Sequence, residues 1–144
     1  MKKPLTVIGA GLLSVAVLAH ADATGVVKER MDAMSAIGDA NKPLVAISRG
    51  RADFDLTTVM NSANTIAEHS GSSLLEMFPE GSTSDASDAK EAIWSDWETF
   101  SEYAMSMETA AMDLAEIDNE EAFASAYREV SSNCSGCHRK FRAR

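Results

Sequence analysis

One stretch of this chain constrains its fold more than any other. Ile93, Trp97, Phe100, Ala104, Met107, Ala111 and Leu114 recur in a near-perfect alternation of four- and three-residue steps. On an α-helix that spacing gathers all seven side chains into one stripe. A stripe of that length has to be covered by apolar neighbours, so it describes a seam against other helices rather than a lone surface helix. The helix is expected to run from Asp88 to Ile117. Asp88 and Glu91 would form a capping pair in which Asp replaces the usual Ser or Thr.

Three further amphipathic segments supply those neighbours. The first spans Thr24 to Ser48, with Val27, Met31, Met34, Ile37, Asn41, Val45 and Ser48 at helical steps. Pro43 should kink it or cut it near Asn41, and Gly50 ends it. The second spans Asp55 to Ser70, with Leu56, Val59, Met60, Ala63, Ile66 and Ala67 inward and Gly71 as its stop. A long loop follows, Leu74 to Ser87, containing Pro79 and Gly81. The last helix starts at an Asn119 cap and reaches Arg142, with Phe123, Tyr127, Val130, Cys134, His138 and Phe141 on one side. No strand, internal repeat or low-complexity segment stands out. The fold class is all-α, an antiparallel four-helix bundle.

The N-terminus reads as an export signal. Lys2 and Lys3 precede an apolar run from Leu5 to Leu18, and Ala19-His20-Ala21 offers the small residues of a cleavage site. The run is about 14 residues, short of the roughly 20 that a spanning helix needs. Residues 1–21 are therefore expected to be removed after about Ala21, leaving residues 22–144 as one domain. Loss of the two lysines takes the formal net charge from -9 to -11. So acidic a chain is a poor partner for nucleic acid, which needs clustered cations. The mature chain is expected to be soluble, without membrane insertion, and a bacterial periplasm suits it.

The cysteines carry the chemistry. Cys134 and Cys137 are the chain's two cysteines, and His138 follows at once, giving C-x-x-C-H. Three residues apart on a helix, the thiols emerge on one side of a turn, and His138, four after Cys134, joins them there. Each thiol can add to one vinyl group of a haem, and the imidazole can bind its iron. A redox dithiol would leave His138 unexplained. Zinc would need more ligands, and His69 is the one other histidine after the leader. The motif calls for one covalent haem c. His69 lies off the apolar stripe and is more simply a surface residue. Trp94 and Trp97 are more simply core or interface residues, and the carboxylates between Glu116 and Glu121 a solvated turn.

With its motif at the C-terminal end of the last helix, in Cys134-Ser135-Gly136-Cys137-His138-Arg139-Lys140-Phe141-Arg142 with two residues following, the chain resembles the class II c-type cytochromes, the cytochromes c'. Arg30, Met34 and Gly38, Phe78-Pro79-Glu80-Gly81-Ser82 and Ile93-Trp94-Ser95-Asp96 also look like family segments. Pro43 departs from a first helix that in the family often continues through that region. The resemblance implies that Arg30 pairs with a haem propionate, that Met34 lies over the distal side of the iron, and that Phe78 walls the pocket. It also implies that Arg142 covers the proximal imidazole. Gly136 would leave room for a porphyrin edge.

Two functions are then open. One is an electron carrier working with larger redox partner proteins. The other is a module binding nitric oxide or carbon monoxide at five-coordinate iron. They separate on Met34: as a sixth ligand it makes a low-spin electron carrier, and as a pocket wall it leaves the iron open. The expectation here is the five-coordinate arrangement. Peroxidase chemistry lacks a distal histidine or arginine pair, so no enzyme activity is expected. The resemblance also implies a homodimer packed through first helices.

Overall fold

Four long helices and two short ones make up the computed structural model, which describes residues 23–143. They are α1 (Gly25–Ser48), α2 (Leu56–Glu68), α3 (Gly71–Leu75), α4 (Ala92–Ser95), α5 (Trp97–Ala115) and α6 (Glu120–Phe141). The long helices form the antiparallel bundle that the apolar spacing demands. The expected signal segment lies outside the described residues.

Local chemistry sets the ends. Asp55 caps α2, its carboxylate accepting from the Thr58 N–H at 2.7 Å, and Asn119 caps α6 through the Ala122 N–H at 3.0 Å. Gly50 takes a left-handed φ of 64° just past α1, and Gly71 one of 57° after α2, as chain stops require. Gly71 then starts α3, a short helix inside what the sequence presents as irregular chain.

Several expectations need correction. Pro43 does not cut α1, which runs on to Ser48. A proline costs one helical hydrogen bond, but the next residue, Leu44, is fully buried and holds the segment on the bundle. The inward face of α1 is Arg30, Ala33, Ile37 and Leu44, rotated from the expected stripe, and Met31 is 41% exposed. Met60 on α2 is likewise 40% exposed and Trp97 on α5 39% exposed. The rest of the α5 seam is buried as its spacing predicts.

The third long helix starts later than expected. The Asp88–Glu91 capping pair does not form. Residues 88–90 run alongside the C-terminus instead, with Lys90 N–H donating to Phe141 O at 2.9 Å and Ala143 N–H to Asp88 O at 2.7 Å. A helix cannot begin while its first residues are paired elsewhere. Asp96 then breaks the run into α4 and α5 with φ -135° and ψ 54°, its carboxylate taken by Lys140.

The buried residues fall into two cores. One holds Ile37, Leu44, Val59, Ile66, Leu114, Phe123, Tyr127 and Val130. The other, toward the far end of α6, holds Leu74, Phe78, Ile93, Phe100, Ala104 and Phe141. Each fully buried Leu, Ile or Val side chain is worth about 1.5–3 kcal/mol of transfer free energy. α1 packs mainly along α2, while α6 packs mainly along α5. α1 and α6 touch only sparsely.

Candidate haem site

The last turns of α6 present the motif. Glu120 and Glu121 occupy its first turn and His138, Arg139 and Lys140 its last, matching charge to the helix dipole at both ends. Cys134 and Cys137 are half-buried. Cys134 packs against the first core, with Sγ 3.6 Å from Met107 Sδ, and Cys137 against the second. Met34, half-buried on α1, packs against both. Met34 and the pair of thiols thus each bridge the two cores.

Arg30 is the buried cation of this region, at 2% exposure. Its Nη1 donates to Ser82 Oγ at 2.9 Å and its Nη2 to Ser82 O at 2.6 Å. Its guanidinium carbon lies 4.9 Å from the centre of the Phe78 ring. Nε is buried with no partner. Phe78 itself is buried, edge-on to Phe100 at 4.8 Å. Its loop is pinned by Trp94, whose indole N–H donates to Phe78 O at 3.1 Å and Pro79 O at 3.0 Å.

Burial disfavours charge on both thiols. Cys134 is pushed up, and Cys137 is pushed up to about 11, by burial first and by Cys134 second. Burial thus favours the protonated thiol at both positions. His138 is exposed as a residue, but protein packed around its ring lowers its proton affinity, with the Arg142 guanidinium helping. That favours neutral imidazole, the metal-binding form.

Two placements differ from what the motif alone suggests. Gly136 faces Tyr103 of α5, and a Cβ there would lie 2.7 Å from Tyr103 Cε1. The small residue lets α5 and α6 approach here. Arg142 lies past the end of α6 and pairs with Asp88, Nη2 to Oδ2 at 3.0 Å. His69 caps the end of α2, partly exposed. Ser82, Met107, Trp94 and Tyr103 complete the surroundings of the site. Ser82 and Trp94 lie within segments that the resemblance singles out, whereas Met107 is legible only as part of the apolar seam and Tyr103 carries no distinguishing signal in the sequence.

This constellation fits a covalent haem. Two thiols stand on one side of a helix, apolar surface flanks them on both sides, and a buried guanidinium keeps an unused donor for an acid group. The sequence profile of the family described as cytochrome c' matches residues 25–142. The chain belongs to the cytochrome c' family.

Relatives agree. A cytochrome c-556 of Agrobacterium tumefaciens is 35% identical over 82% of this chain and 97% of its own length. A cytochrome c' of Rhodopseudomonas palustris is 32% identical over 84% of each. The solved structure of a Rhodopseudomonas palustris cytochrome c' superposes with a TM-score of 0.78 at 31% identity, covering 85% of this chain and 98% of that one. Like its family, this cytochrome carries covalently bound haem c. Among the described residues no helix is long and apolar enough to cross a membrane.

Proposed function

We propose that this protein is a periplasmic electron-transfer cytochrome whose iron, bound by His138, keeps its sixth position open to nitric oxide or carbon monoxide. The observation that carries this proposal is Met34, half-buried on α1 and packed against both cores. A side chain already in apolar contact on two sides acts as a crowding wall more readily than as a ligand. Haem c supplies reversible one-electron chemistry and, at an open iron, affinity for diatomic gases.

The chain's own residues do the rest. Cys134 and Cys137 anchor the group through thioethers. His138 supplies a neutral imidazole. Arg30, its Nη donors held by Ser82, keeps its Nε–H for a single charge-assisted hydrogen bond to a propionate. Phe78 walls the pocket and carries the Arg30 guanidinium on its face. Arg142, through its positive charge, opposes protonation of His138.

Export follows from the leader, with cleavage after about Ala21, and intact mass of the secreted protein reads it directly. Redox partner proteins would be met in that compartment. A homodimer through α1, helped by α2, is supported by the exposed Met31 and Met60. Sedimentation at high micromolar concentration showing only monomer would exclude it.

The iron is tested by absorption and electron spin resonance spectra of the purified protein. The expected result is a high-spin signal, with Met34→Ala remaining high-spin and binding carbon monoxide faster. A low-spin wild type that Met34→Ala converts to high-spin would make Met34 the sixth ligand and the protein a six-coordinate electron carrier.

A further inference from the structure

α1 and α6 are the helices on either side of the site, yet they pack together only sparsely. Among the described residues one side-chain hydrogen bond joins them, from Tyr127 Oη to Asn41 Oδ1 at 2.9 Å. Its position matters. Asn41 is seven residues beyond Met34 on α1, and Tyr127 is seven residues before Cys134 on α6. Seven residues are two helical turns, about 10 Å, so each pair shares one face of its helix. The helices run antiparallel, so Met34 and Cys134 lie on the same side of the bond, two turns along.

The two ends of the bond are not equally firm. Tyr127 is buried, its ring stacked on Phe123 with centroids 5.5 Å apart and planes 3° apart, and Phe123 in turn meets Phe54 edge-on. That end is fixed in the core. Asn41 is only half-buried on α1. Near the other end of α1, Arg30 holds to the Ser82 loop, not to α6. Among the described residues, no other side-chain hydrogen bond ties the Met34 stretch of α1 to the haem-bearing helix.

We infer that the Tyr127–Asn41 hydrogen bond is a clip that sets the separation of α1 from α6, and thereby how closely Met34 stands to the distal face of the iron. Both are positioning residues, acting through Met34 without touching the haem. The inference rests on the proposal that Met34 forms the distal wall. It gives one direction whichever way Met34 is used. Loosening the clip lets α1 move outward, which opens a crowded site or weakens a sixth bond.

The test uses the holoprotein. Tyr127→Phe removes the donor but keeps the ring on Phe123, and Asn41→Ala removes the acceptor from the other helix. Each should speed carbon monoxide association with the ferrous protein about fivefold, the factor by which one hydrogen bond of ordinary net strength shifts a two-state equilibrium. In the double variant the effects should not add, because both break the same contact. Met34→Ala is the control for the underlying proposal and should accelerate binding on its own. If Met34→Ala accelerates binding while Tyr127→Phe and Asn41→Ala leave the rate and spectrum unchanged, the clip is refuted and the distal wall stands. If Met34→Ala itself changes nothing, the distal wall falls, and the clip falls with it. Additive effects of the two clip variants would also overturn it, since a general loosening of the bundle adds where a shared contact does not.

Discussion

Arg30→Met gives the sharpest single perturbation of the site. Methionine keeps much of the arginine's length and none of its donors. It removes two charge-assisted hydrogen bonds to Ser82 and the contact over the Phe78 ring. Hydrogen bonds to charged groups are worth about 1.5–3 kcal/mol each and a sheltered cation–π contact about 1–2 kcal/mol. Against them stands the cost of burying a guanidinium, several kcal/mol, which the variant no longer bears. The Ser82 oxygens are only partly buried and regain water. The difference is a net loss of about 2–3 kcal/mol in the holoprotein, with a propionate left short of its cation. For a domain of this size that lowers Tm by roughly 10 °C. Removing a positive charge beside the haem also lowers the reduction potential, because the oxidised iron carries the extra positive charge. Thermal unfolding and a redox titration read the two effects. Arg30→Lys, which keeps the charge but not the fork, should retain the potential better than the stability. A variant with unchanged Tm and unchanged potential would refute Arg30 as the cation of the haem pocket.

Changing both Cys134 and Cys137 to Ala should abolish covalent attachment, and either alone should weaken it; haem resisting acid-acetone extraction in the double variant would contradict the motif. Gly136→Ala should destabilise by about 1 kcal/mol, since the cost of overpacking against Tyr103, roughly 1–3 kcal/mol, exceeds the helix propensity gained, about 1 kcal/mol. Tyr103→Leu in that background should recover part of the loss, and a rise in Tm from Gly136→Ala alone would show that the contact is slack. The Asp96 carboxyl is held below its ordinary range chiefly by Lys140. In acid the unfolded chain therefore takes up this proton first, so the contribution of Asp96 is present above pH 4 and is lost as pH falls through its folded value. Asp96→Asn should flatten the acid limb of the stability profile, and an unchanged slope there would count against the ion pair.

The sequence by itself determined the helical class, the cofactor and the place of its C-x-x-C-H motif. Spacing along one chain carries that information: steps of four and three define a stripe, and Cys134, Cys137 and His138 are close because they lie within five residues of one helix. The Asn119 cap and the Gly50 and Gly71 stops were legible for the same reason, since their chemistry is local. Only the tertiary structure decided which way α1 turns its face, because Arg30 is buried against a loop 52 residues away and Met31 is left outside. It also decided that Pro43 is tolerated, that Gly136 serves Tyr103, and that Asp88 meets Arg142 instead of capping a helix. Each of those outcomes is a competition between local preference and a partner distant in sequence, and the energies of such partners depend on distances that no spacing rule contains.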